Sequence, residues 1–307
     1  MIEADLSAMD RRRKCWWVVY LTSGLGPAKA QQVAQRLATS GRDILELDDF
    51  LTGDHDDEVA ELTGLPHRLV FSLLQNLRED GFRERLDERL LLPEDDQYPN
   101  SRLLDANPPL PVALWAVGRR SMLDDGRPAI AVAGSRSADE HLLNVAYRLG
   151  SEAARAGWKL VSGMAAGVDS AGHQGALDAG GDTIGVMASG LDNGGRHWQP
   201  DSLDDVCIVS EFPPECPWSG PRAMQRNATI AALSDAVAVI AAGETGGSWE
   251  MAHLCLKKGK PLFVLDVSSD TAPGNQKLIR GGATPISEDD LAVALTHVEG
   301  PSQGQLF

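Results

Sequence analysis

Val161-Ser162-Gly163-Met164-Ala165-Ala166-Gly167-Val168-Asp169-Ser170-Ala171-Gly172-His173 is the stretch that decides the fold. The apolar run Trp158–Val161 reads as a β-strand, meets a Ser-Gly corner, and passes through small residues into an alanine-rich helix. Backbone N–H groups at such a corner are not screened by side chains. They suit phosphate oxygens, aided by the positive end of the helix dipole. The spacing is not GxGxxG, so it does not by itself imply a dinucleotide. The alternative is that these glycines serve only close helix–sheet packing.

Outward from this corner the same unit repeats. Strands are expected at Ala129–Ala133, Trp158–Val161, Thr183–Met187, Asp205–Val209, Ala236–Ala241 and Pro261–Leu265. Helices are expected at Asp139–Ala156, Ala171–Ala179, Arg222–Leu233 and Gly247–Lys257. Near-continuous apolar strands alternating with helices predict an α/β fold, an extended Rossmann-like parallel sheet with helices on both faces. Ligands of such sheets sit beyond the carboxyl ends of the strands. Five polar or Gly-rich corners fall on that edge: Ala133-Gly134-Ser135-Arg136, Ser162-Gly163, Ser189-Gly190-Leu191-Asp192, Ser210-Glu211-Phe212 and Gly243-Glu244-Thr245-Gly246-Gly247-Ser248.

Residues 1–92 read as a small all-α domain of the SAM or helix-hairpin-helix type. Leu25-Gly26-Pro27-Ala28-Lys29-Ala30 leads into the periodic Val33 and Leu37, with an echo at Leu62-Thr63-Gly64-Leu65-Pro66. Such a Gly turn can hold a DNA phosphate; a bundle used for contacts is the plainer reading. Residues 93–298 form the Rossmann-like domain, and 299–307 a polar, breaker-rich tail.

The 307 residues carry a formal charge of −16, which argues against coating nucleic acid with the whole surface. Screening over about 8–10 Å still permits a local basic groove. No apolar run is long enough to cross a bilayer and no signal peptide is evident, so the expected compartment is the cytoplasm, with no membrane contact. The four cysteines form no CxxC, and the seven histidines show no ligand spacing. Buried thiols, no disulfide, no metal and no cofactor are expected.

These motifs, in this order, resemble the DprA/Smf family of DNA-processing proteins. The blocks are Tyr98-Pro99, Asn107-Pro108-Pro109-Leu110, Gly134-Ser135-Arg136, Ser162 through Asp169 with His173, Gly190-Leu191-Asp192, Ser210-Glu211-Phe212-Pro213, Arg226-Asn227, and Gly274-Asn275 with Leu278-Ile279. The resemblance implies a Rossmann-like core that binds single-stranded DNA, delivers it to a RecA-type recombinase in natural transformation, forms a homodimer and performs no catalysis. It implies phosphate contacts at Arg136 and Arg226. The expected binding set is Gly134, Ser135, Arg136, Ser162, Gly163, Ala165, Gly167, Arg226, Asn227, Gly246, Gly247, Ser248 and Lys277. Such a binder is expected to lose affinity steeply with salt. Asp169 and His173 are expected to act as a cap and a packing or hydrogen-bonding group.

The chain departs from the family pattern at three points. Ala228 stands where the family has a second arginine. Gly246-Gly247-Ser248-Trp249-Glu250-Met251-Ala252 places an aromatic and a carboxylate where the family has Ser-Gly-Ser-Leu-x-Thr-Ala. The sequence also ends before the family's winged-helix domain. Glu250 supports a rival reading, a sensor of a nucleotide-derived ligand or a nucleotide phosphoribohydrolase, in defence against mobile DNA. Its glutamate falls one residue early for that chemistry. Gln303-Gly304-Gln305-Leu306-Phe307 resembles the pentapeptide that binds the replication sliding clamp, with Gln303, Leu306 and Phe307 as its contacts and Gly304 departing from it.

Overall fold

The computed structural model describes residues 8–22, 25–50, 55–78, 87–92, 95–103, 113–193 and 198–296. The chain divides into two units, Met1–Asp95 with Pro111–Leu114, and Asp96–Leu110 with Trp115–Phe307. The clamp-like tail and the Asn107–Leu110 block lie outside the described residues.

The first unit contains α1 (Ala8–Leu21), α2 (Gly26–Ser40), a 3-10 segment (Ile44–Phe50), α3 (Asp56–Thr63), α4 (His67–Arg78) and the short strand β1 (Leu90–Leu91). Leu69, Val70, Leu73, Leu74 and Leu77 repeat at helical spacing and are all buried. Between α3 and α4 the chain turns at Gly64, whose N–H bonds the Ala60 carbonyl. The sequence echo at Leu62–Pro66 is therefore a helix–Gly turn–helix. β1 is a departure from the wholly helical expectation.

The second unit contains nearly all of the sheet. Its elements are α5 (Asn100–Leu103), β2 (Leu114–Gly118), β3 (Ala129–Ala133), α6 (Glu140–Arg155), β4 (Lys159–Ser162), α7 (Val168–Asp178), β5 (Thr183–Met187), β6 (Val206–Ser210), α8 (Gly220–Ala232), β7 (Ala236–Val239), α9 (Gly247–Lys258), β8 (Leu262–Leu265), α10 (Asn275–Arg280), β9 (Thr284–Ile286) and α11 (Val293–Thr296). The strand order is β2-β6-β5-β4-β3-β7-β8-β9. β6 through β9 are parallel, and β2 runs antiparallel to β6 with Trp115 opposite Ser210. The fold is the expected α/β Rossmann-like class, with one correction: the sheet is mixed, and β2 and β9 extend it at its two ends. β9 contains Pro285, a residue that sheets confine to their edges.

Pleating divides the strands between two layers of helix. Ile130, Val132, Leu160, Ala236, Ala238, Phe263 and Leu265 share one apolar cluster with Leu142, Val145, Ala146 and Leu149 of α6. The intervening Ala131, Val161, Val237 and Val239 face the other way, and α8 and α9 pack against β5, β7 and β8. α6 starts on Asp139, whose carboxylate accepts the Leu142 N–H at 2.9 Å. The chain runs outward from β3 through β4, β5 and β6, then returns to lay β7 on the other side of β3. That reversal opens a crevice at the carboxyl ends of β3 and β7.

Candidate nucleic-acid interface

An open pocket of about 630 Å³ occupies this crevice. Three of the five corners meet there: Ala133–Arg136 after β3, Ser162 and Ala165 after β4, and Gly243, Thr245, Gly247 and Ser248 after β7. The corners at Ser189–Asp192 and Ser210–Phe212 do not line it. They are tied into the loop before α8, with Gly190 N–H bonded to Cys216 O and Asp192 N–H to Pro214 O.

The floor is a polar network bonded largely within the chain, with the buried Nε of Arg226 left without a partner among the described residues. Asp169 lies in the first turn of α7, and its Oδ2 accepts the N–H of Gly163 at 3.2 Å and of Ala165 at 3.4 Å. The Val168 N–H bonds the Ser135 carbonyl. The expectation that amides of this corner hold phosphate is thus corrected for Gly163 and Ala165: a carboxylate of the chain itself occupies the anion position. Ser162 is fully buried and donates to Val132 O at 2.6 Å. Gly167, at φ 80°, lets the Ser135 carbonyl pass where a Cβ would lie 2.4 Å away. Gly163 leaves room for two groups, because a Cβ there would meet Arg226 Nη2 and Asp169 Oδ2 at 2.7 Å each.

Arg226, for which the resemblance implied a phosphate contact, lines the floor of the pocket: it is 5% exposed, and its Nη1 donates to the carbonyls of Gly163 and Val186. Its charge opposes the rise that burial imposes on the Asp169 carboxyl. Nearby, burial pushes the Glu211 carboxyl up to about 7, against the Gln225 hydrogen bond and the Arg226 charge. His173 Nδ1 lies 2.6 Å from Thr183 Oγ1, and its ring stacks on Trp198 at 4.3 Å. Burial holds this imidazole neutral, with a pKa near 3. His173 is a packing group here, and Asp169 caps the loop rather than the helix end.

The rim is open. Arg136 is exposed, and no carboxylate of the described residues pairs with it. Its guanidinium carbon lies 5.6 Å from the centroid of the Trp218 ring. Trp218 is 50% exposed and Met224 40%, and both line the pocket. In the same pocket lining α9 begins after Gly246, and its leading N–H groups at Gly247 and Ser248 have no turn before them to bond. Asn227 holds this terminus by donating from Nδ2 to Gly247 O at 3.0 Å.

Lys277 is not brought to the pocket; it pairs with Glu244 at 2.6 Å. Glu250 is exposed and does not line the pocket either, and Trp249 packs edge-on against His253. Trp218 and Met224 were missed by sequence reasoning. The available signal was an aromatic within Cys216-Pro217-Trp218-Ser219-Gly220-Pro221, polar and turn-rich surroundings that leave a large ring in solvent. Among the described residues no group of three or more His, Cys, Asp or Glu could hold a metal ion, and no helix is long and apolar enough to cross a membrane.

A family model described as DNA recombination-mediator protein A matches residues 89–296. The Smf protein of Synechocystis is 28% identical over 97% of this chain and 76% of its own length. The crystal structure of DNA processing protein A from Streptococcus pneumoniae shares the fold, with a TM-score of 0.72 at 23% identity over 94% of this chain and 98% of that one. DNA processing protein A from Helicobacter pylori, described with a unique single-stranded DNA binding mode, has a TM-score of 0.56 at 25% identity over 69% of this chain and 98% of that one.

Proposed function

The chain belongs to the DNA recombination-mediator protein A family, and on that premise we propose that its second unit binds single-stranded DNA across the carboxyl ends of β3, β4 and β7. One observation carries the reading: Arg136, exposed and without a carboxylate partner among the described residues, lines the same pocket as Gly247 and Ser248 at the N-terminus of α9. A guanidinium and free N–H groups in one pocket suit a phosphate, the first by charge and the second by the helix dipole. Gly134, Ser135, Asn227, Gly246, Gly247 and Ser248 shape this site, while Ser162, Gly163, Ala165, Gly167 and Arg226 hold its floor rigid. No covalent step is assigned. The carboxylate that a hydrolase would need is either outside the pocket lining, as Glu250 is, or bonded to backbone amides, as Asp169 is.

The test is a fluorescence-anisotropy titration of labelled single-stranded and duplex oligonucleotides at two salt concentrations. Arg136→Ala should weaken single-strand binding by about tenfold and flatten its salt dependence. Unchanged affinity in this variant would sink the assignment. Delivery of the strand to a RecA-type recombinase, a homodimer and a cytoplasmic setting complete the proposal. Docking of Gln303, Leu306 and Phe307 on a sliding clamp is proposed with them, and it fails if deleting residues 303–307 leaves clamp binding unchanged.

A further inference from the structure

We propose that Glu211 is a proton-linked control point of the DNA site: the pocket holds phosphate best while this carboxyl keeps its proton, and releasing that proton weakens the bound strand. The inference rests on the DNA-binding reading above and adds to it a positioning residue that acts through Arg226. Glu211 follows β6 and is 2% exposed. Its Oε2 accepts one hydrogen bond, from Gln225 Nε2 at 3.2 Å, and its buried Oε1 has no partner among the described residues. A carboxylate deprived of water and given one neutral donor is costly, whereas the neutral acid is not. Burial therefore outweighs the Gln225 bond, the Arg226 charge and the Thr229 hydroxyl, and the carboxyl titrates at about 7.

Arg226 carries the coupling. It lines the pocket, its charge acts on both Glu211 and Asp169, and its Nε is buried without a partner among the described residues. The two carboxyls around it differ in their support. Asp169 of α7 accepts the N–H groups of Gly163 and Ala165, and it is the one that keeps its charge. While Glu211 is neutral, Asp169 and Arg226 offset each other, and Arg136 at the rim acts on phosphate unopposed from below. Ionising Glu211 gives the floor a net negative charge and an acceptor that competes for the Arg226 Nε, and both changes oppose a phosphate above it. The other charged groups facing this corner are the guanidiniums of Arg222, which lies over the Phe212 ring, and of Arg136, which acts on Arg226. A guanidinium stays a cation throughout this pH range. The His173 imidazole, with its pKa near 3, is neutral throughout it. Lys260, pushed down to about 8 by burial, precedes β8 at the amino end of that strand and does not line the pocket. By reciprocity, a strand that prefers the neutral carboxyl takes up protons as it binds.

The experiment follows labelled oligothymidine by fluorescence anisotropy with the full chain and with Glu211→Gln, at one salt concentration, from about pH 5.5 to about pH 8.5. The parent should lose affinity about fivefold as the pH rises through 7, the size expected of one charge added near a bound phosphate. Glu211→Gln keeps the shape of the side chain and cannot ionise, so it should hold the parent's acid-side affinity across the whole range. Calorimetry of the parent in two buffers of different ionisation heat gives a second reading that needs no substitution: binding near pH 7 should take up a fraction of a proton. If the parent binds equally at every pH, or Glu211→Gln weakens as steeply as the parent, the coupling is overturned. Salt-sensitive, Arg136-dependent binding would then leave the phosphate reading standing. No binding by the parent at low salt at any of these pH values overturns both.

Discussion

Asp169 shows how a single side chain can invert the meaning of a motif. As a string, Ser162–Asp169 reads as a row of amides waiting for an anion. Folded, the row closes on its own carboxylate, which bonds Gly163 and Ala165 and faces Arg226 across the space above Gly163. Removing that carboxylate should strand the buried Gly163 N–H, the half-buried Ala165 N–H and a buried guanidinium. Asp169→Ala is expected to lose about 3–5 kcal/mol of stability, read by urea unfolding. Glu211 gives the second prediction at this scale. Its pKa rises from 4.5 to about 7 in the fold, so its neutral form is the stable one. Its contribution is fully present below pH 4.5 and is lost as pH rises through 7. The Tm of Glu211→Gln, minus that of the parent, should therefore climb between pH 5 and 8; a flat difference would reject this protonation state. Arg136 was legible because an arginine directly after an apolar strand has only the sheet edge to occupy. The burial of Arg226 was not legible because its acceptors, Gly163 O and Val186 O, lie far away in sequence.

At the scale of elements, α8 links floor to rim. It starts on Ser219, whose hydroxyl accepts the Arg222 N–H at 3.3 Å, and Pro221 sits in its first turn where a missing N–H costs nothing. Trp218 precedes the cap, and Arg226 and Asn227 follow two turns on. Ser219→Ala is expected to cost about 1 kcal/mol and to weaken DNA binding. Unfolding and anisotropy measured on the same variant check both halves. The helices were legible from their periods and caps; α6 begins one residue after the expected Asp139, which is its cap. α7 begins at Val168 rather than Ala171, because the Val168 N–H finds Ser135 O across the crevice. No local pattern announces that bond.

For the whole molecule, charge sets the terms of binding. With a formal −16, the surface as a whole repels DNA, so the proposed binding is assigned to the crevice. Of the residues lining it, Arg136 is the one exposed cation, since Arg226 is buried in the floor. Each neutralised phosphate of a single strand contributes a slope of about −0.7 to log K against log salt. The pocket itself should therefore give a slope of about −0.7 rather than the steep loss anticipated from sequence. A much steeper slope in an anisotropy salt series would mean that cations outside this pocket carry the binding.

The sequence by itself determined the α/β class, the family and the edge of the sheet that carries the site. The class and the edge follow from apolar runs, helical periods and the corners between them, and the family from the resemblance of the motif blocks, all local along the chain. Only the tertiary structure decided which three of five corners meet, that Arg226 and Asp169 belong to the floor, and that Trp218 stands at the mouth. Each of those outcomes depends on burial and on partners brought from distant strands. Burial is a property of the packed sheet, in which a charge keeps its solvent or exchanges it for carbonyls, and no stretch of residues carries that information alone.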